Sequence, residues 1–112
     1  MRKISVESVD SFLKCKNFNK ANMSVKVLDC RELPVIELRL YGNTIAKIEN
    51  NEIYISNAGW KSLTTKERLN ALLRKLNAGY IQQIKGIWYL NNTVFPDNEF
   101  IPVLNYLNHL MS

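Results

Sequence analysis

The densest concentration of chemistry-bearing side chains is the run Asn57-Ala58-Gly59-Trp60-Lys61-Ser62-Leu63-Thr64-Thr65-Lys66-Glu67-Arg68-Leu69-Asn70. A tight turn, a large aromatic, hydroxyls, two lysines and an arginine fall together there. The amino end of a helix presents unpaired N–H groups and partial positive charge, so phosphate is a natural guest beside Lys61, Thr64, Thr65 and Lys66. Trp60 can stack on a base of a single strand. A purely structural account fits the same residues: Thr64 caps the helix, Glu67 closes a capping box, Trp60 fills a corner of the core and Gly59 takes the turn.

Other chemistries find little to work with. The single histidine, His109, stands three residues from the end beside Leu107, Leu110 and Met111, a setting that suits a satisfied or surface side chain better than a general base. The four glycines (Gly42, Gly59, Gly79, Gly86) are far apart and make no phosphate-cradling loop. Glu49 and Glu52 flank a turn, where paired acids are solvated and do not form a buried acid/base couple. Cys15 and Cys30 have no companion pair, so neither a zinc site nor a disulfide framework is expected. Lys14 and Lys16 would favour the Cys15 thiolate at an exposed site, yet the ordinary role of a lone cysteine is a small buried hydrophobe. The sequence therefore predicts a non-enzymatic protein with no catalytic residue, cofactor or metal.

Charge adds a direction. The chain of 112 residues carries a formal net charge of +5. Lys61, Lys66, Arg68, Arg74, Lys75 and Lys85 face only Glu67 within residues 61–96, so that segment sums to +5 and the remainder to zero. Such an excess favours anionic partners. The alternative is a solvated helix face in a basic-leaning protein. No apolar run approaches the ~18 residues of a membrane span, and the start, Met1-Arg2-Lys3, has no apolar stretch behind it to make a secretory signal.

The elements that must position these residues follow from periodicity. Val6, Val9, Phe12 and Leu13 predict a short helix over Ser5 to Lys14. Val25 and Val27, then Ile36, Leu38 and Leu40, then Ile45 and Ile48, then Ile53 and Ile55 give four strands joined by short turns, an antiparallel meander with one apolar face. Leu69, Leu72, Leu73 and Leu76 recur at i, i+3, i+4 and i+7, so a central amphipathic helix must bury that stripe on the sheet. Asn77-Ala78-Gly79 ends this helix, with the glycine free to turn left-handed. Tyr80 to Leu90 reads as a hairpin broken at Gly86, and Phe100 to Leu110 as a C-terminal helix with Pro102 in its first turn. The expected fold is a single α+β domain over 1–112. Its curved antiparallel sheet, meander plus C-terminal hairpin, packs on the central helix, with short N- and C-terminal helices.

With Gly59-Trp60, Ser62, Thr64-Thr65-Lys66 and Arg68-Leu69-Asn70, and with the preceding Leu40-Tyr41-Gly42-Asn43-Thr44-Ile45-Ala46, the chain resembles small accessory proteins of tailed bacteriophages over roughly residues 36–90. That resemblance implies a phage origin and a place in the cytoplasm of a bacterial host. It further implies one of the roles common among small phage accessory proteins, binding nucleic acid or intercepting a host protein, defence nucleases included.

Two functions are therefore expected in competition. One is nucleic-acid or nucleoprotein binding through a basic helix face, using Trp60, Lys61, Thr64, Thr65, Lys66, Arg68, Asn70, Arg74, Lys75 and Lys85, with Trp88 as an aromatic platform in the hairpin. The other is inhibition of a host factor such as a defence nuclease, in the anti-CRISPR manner, through protein contacts alone. An exposed sheet edge would also allow a homodimer, and no membrane partner is expected.

Overall fold

The computed structural model describes residues 2–29 and 31–107. Helix α1 (Lys3–Leu13) leads into strands β1 (Phe18–Lys20), β2 (Met23–Asp29), β3 (Val35–Leu40), β4 (Asn43–Glu49) and β5 (Glu52–Ile55). Helix α2 (Leu63–Leu76) follows, then β6 (Ile81–Ile84), β7 (Ile87–Leu90), β8 (Thr93–Val94) and β9 (Ile101–Asn105). The architecture is α+β, with helices packed on antiparallel sheet.

Alternation builds the larger sheet, of order β1-β2-β3-β4-β5-β9. Ile36, Leu38 and Leu40 of β3 point into the core while Glu37 and Arg39 stay half-buried on the opposite face. Asn50 and Asn51 join β4 to β5 with φ of 53° and 65°, and Tyr41 and Gly42 join β3 to β4 with φ of 51° and 81°. Both match the two-residue hairpin turn that needs positive φ at each central position. Beyond the second of these turns β4 carries an extra residue. Leu38 pairs with Ala46 but Arg39 with Thr44, so Ile45 has no partner of its own. This bulge turns both Ile45 and Ala46 inward. On the outer face Lys47 Nζ lies 4.7 Å from the centre of the Phe100 ring and 5.5 Å from that of Tyr54. The Tyr54 phenol is raised above its ordinary pKa, chiefly by its hydrogen bond with the Glu52 side chain.

The leucine stripe behaves as expected: Leu69, Leu72 and Leu73 are fully buried in one cluster with Leu38, Leu40, Ile53 and Ile55, and Leu76 packs half-buried against it. Val9, Phe12 and Leu13 of α1 join the same cluster. The two helices run parallel. Ser5 meets Glu67 and Arg68 near both amino ends, while Asp10 meets Lys75 near both carboxyl ends.

Three expectations need correction. The hairpin after α2 is not part of the larger sheet; β6, β7 and β8 form a second, three-stranded one. The sixth position of the larger sheet is filled instead by Ile101–Asn105, the start of the expected C-terminal helix, as strand β9 antiparallel to β5. Ile53 and Ile55 leave β5 with a free edge to satisfy, and Pro102, which lacks an N–H, is tolerated on the outermost strand. Tyr106 and Leu107 are helical, and the remainder of that expected helix, with His109, lies outside the described residues, as does Cys30. Finally, Asn77 and not Gly79 takes the left-handed position at the end of α2, with φ 53°. Gly79 answers to a different need, because a Cβ there would come 2.1 Å from Asn91 Oδ1.

Candidate nucleic-acid interface

The loop between β5 and α2 is organised by a buried amide. Asn57 Oδ1 accepts from the backbone N–H of Gly59 and of Asn98, both at 2.8 Å, and its Nδ2 donates to Asp97 Oδ1 at 3.0 Å. Trp60 N–H donates back to the Asn57 carbonyl at 2.8 Å. Lys61 Nζ then donates to the Gly86 carbonyl at 3.1 Å and lies 3.6 Å from Asp97. These contacts fix the loop without using the Trp60 side chain, which remains 63% exposed and does not fill a core corner.

Helix α2 begins two residues earlier than its sequence reading. Ser62 is the N-cap, its Oγ accepting from Thr65 N–H at 3.1 Å, so Thr64 does not cap and Glu67 closes no box with it. Glu67 turns to α1, where Ser5 Oγ donates to its carboxylate at 2.6 and 2.7 Å. Arg68, placed on the partner face by its sequence position, is only 3% exposed. Its guanidinium pairs with Glu67, donates to Ser5 Oγ at 2.9 Å and reaches Asn22 Oδ1 at 3.2 Å. A buried charge is held where it is paired and hydrogen-bonded. Arg68 therefore ties α1, α2 and the β1–β2 turn together and offers no surface to a phosphate.

Several other expected contacts are likewise occupied. Thr65 is buried against the core. Asn70 matches the backbone of Ile81 on both sides, its Oδ1 accepting at 2.6 Å and its Nδ2 donating at 3.0 Å, and so docks the second sheet on α2. Trp88 is 1% exposed and packs on Phe95 with ring centres 6.0 Å apart. It cannot serve as a platform, because strand alternation sends it inward and Tyr89 outward. Lys75 lies 3.5 Å from Asp10. Among the described residues Lys66, Arg74 and Lys85 make no ion pair.

The positive charge is consequently distributed by pairing and not by chain position. Arg2 and Lys3, at the start of α1, also make no ion pair among the described residues. Because the helices are parallel, these two cations lie at the same end as the amino terminus of α2, and Arg2 lines one groove with Leu63, Thr64 and Lys66. A second groove, of about 370 Å³, runs beside it between Tyr41 and Trp60, floored by Leu40 and Ile45. Thr64 lines both, so the two are neighbours. Sequence reasoning missed Arg2, Lys3 and Tyr41. Tyr41 had a readable signal: it precedes Gly42 at a turn position where Asn, Asp or Gly is favoured. Arg2 and Lys3 had none, since only the parallel packing of α1 on α2 brings them to the site.

The molecule is thus a small α+β protein in which three of the eight cations without an ion pair among the described residues, Arg2, Lys3 and Lys66, belong to the amino ends of two parallel helices, beside an exposed aromatic groove. Over residues 1–106 it matches the family model described as Kyanoviridae Gp96 protein, and the chain belongs to that family of phage proteins. The match takes in α1 and β9, which lie beyond the stretch that carried the phage resemblance. No curated protein and no solved structure matches the chain. Among the described residues no helix is long and apolar enough to cross a membrane.

Proposed function

We propose that this phage protein is a non-enzymatic nucleic-acid-binding accessory protein acting in the host cytoplasm, and that it holds the phosphate backbone at the shared amino end of α1 and α2. The observation that carries the reading is the meeting of Arg2 and Lys66 in one groove, neither in an ion pair among the described residues and with the groove's Glu67 already paired to Arg68, at the end where both helices present unpaired N–H groups. Helix dipoles and lysines or arginines act in the same sense on an anion. Lys61, Arg68 and Lys75 are spent on Asp97, Glu67 and Asp10, so they contribute to shape more than to binding. The test is oligonucleotide affinity across a salt series. Two or three phosphate contacts predict a log–log slope of roughly −1.5 to −3, and a double reversal, Arg2→Glu with Lys66→Glu, should remove binding. A slope near zero, or no binding at low salt, would defeat the reading.

One observation favours a second reading, inhibition of a host protein through protein contacts. The outer face of the second sheet presents Ile84, Ile87 and Val94 to solvent, joined by Tyr80 through its hydroxyl bond to Gln82. That face carries no charged side chain, as the buried centre of a protein interface does. If nucleic acid does not bind, this surface leads.

A further inference from the structure

We infer that the groove between Tyr41 and Trp60 is a base-stacking subsite, so that the nucleic acid this protein holds is single-stranded. The inference rests on the nucleic-acid reading and narrows it to one substrate class.

The first support is that neither aromatic ring is explained by the fold. Trp60 is 63% exposed, and its loop is fixed by Asn57 and Lys61 without its ring. Tyr41 is 73% exposed and sits at φ 51°, a conformation uncommon for a bulky residue and better served by Asn or Gly. The turn would be more comfortable without it, and the core gains nothing from it.

The second support is the shape and surroundings of the groove. Its volume of about 370 Å³ falls in the range of small-ligand clefts, about 300–1,000 Å³. Leu40 and Ile45 give it an apolar floor, and no charged side chain lines it. The Ile45 bulge and the Ser56 N–H, which donates to the Ile45 carbonyl at 2.9 Å, set that floor firmly. At Thr64 the groove adjoins the one lined by Arg2 and Lys66. An uncharged aromatic slot beside a basic one matches a base joined to its phosphate. In a duplex the base faces are already covered by their neighbours in the stack, so a duplex can use only the basic part.

Binding is to be measured with a 12-nucleotide single-stranded DNA, the same sequence as RNA, and the corresponding DNA duplex, read by tryptophan fluorescence and by anisotropy of a labelled strand. Trp88 is buried, so quenching on binding reports Trp60. Single strands of either sugar should quench and bind about tenfold or more tighter than duplex. Trp60→Ala should lose about tenfold or more in single-strand affinity, in line with removal of one stacking partner, while the salt slope stays as in wild type. Trp60→Phe should keep part of the affinity. Equal binding of single strand and duplex, with Trp60→Ala harmless and the Arg2/Lys66 reversal still disabling, would overturn the stacking subsite and leave the nucleic-acid reading standing. No binding of any of the three probes would overturn both.

Discussion

Arg68 and Ser5 meet in the seam between the two helices, the guanidinium donating to the Ser5 hydroxyl at 2.9 Å while that hydroxyl donates in turn to Glu67. The arrangement makes a charged residue of the basic segment into part of the interior. It also fits the parallel packing of α1 on α2, since Ser5 lies in the first turn of its helix and Arg68 in the second turn of the other.

Removing one partner of that seam should be costly. Arg68→Ala leaves the Glu67 carboxylate facing the seam unpaired, and a loss of about 2–4 kcal/mol in chemical denaturation is expected, near the range for broken buried pairs. The combined Arg68→Met and Glu67→Gln variant should recover much of that loss, because an apolar side chain of similar length fills the space without an orphaned charge. A wild-type midpoint for Arg68→Ala would mean the guanidinium is not buried.

The cap gives a prediction at a different residue from its sequence reading. Ser62→Ala should cost about 1 kcal/mol, the usual worth of an N-cap hydroxyl. Thr64→Ala should stay within about 0.5 kcal/mol, since Thr64 only lines the two grooves. Thermal melts of the two variants side by side decide it, and the reverse ranking would restore Thr64 as the cap.

Asn70 offers a local test. Its amide holds Ile81 from both sides, so Asn70→Ala leaves one backbone N–H and one carbonyl without partners, at a cost of about 1–3 kcal/mol. Hydrogen exchange should quicken in β6 and β7 before it does in β3 and β4, whose pairing does not depend on Asn70. Uniform loss of protection across both sheets would show that the second sheet does not open separately.

The fold was legible where periodicity is unambiguous and both partners are local in sequence. The alternating Ile36, Leu38 and Leu40, the turn at Asn50-Asn51, and the Leu69–Leu73 stripe all stand as their pattern requires. Ile101 to Asn105 misled because Ile101 and Leu104 suit a helix as well as a strand; the choice was made by the open edge of β5, far away in sequence. The site was less legible for a related reason. Charge counted along the chain placed Arg68 and Lys75 on a binding face, whereas Glu67, Ser5 and Asp10 draw them into pairs. Trp60 and Lys66 were read from sequence and remain at the surface or partly so, while Arg2 reaches the same region only through the packing of α1.

Tyr41 makes the sharpest prediction, because turn chemistry and binding pull on it in opposite directions. Its backbone occupies the left-handed region at the first central position of the β3–β4 turn, where asparagine is at ease and a bulky side chain is strained. Tyr41→Asn should therefore stabilise the protein by about 0.5–1 kcal/mol, the scale of a turn residue matched to its conformation. The ring itself is largely in water, so its removal takes little from the core. If the ring forms one wall of a base-binding groove, the same variant should bind single strands about tenfold more weakly while its melting temperature rises. Measured together on one preparation, the two readouts cannot be explained by partial unfolding, since the protein would be more stable and yet less active. A Tyr41→Asn variant that gains stability and keeps full affinity would mean that tyrosine stands at this turn for some reason other than the groove.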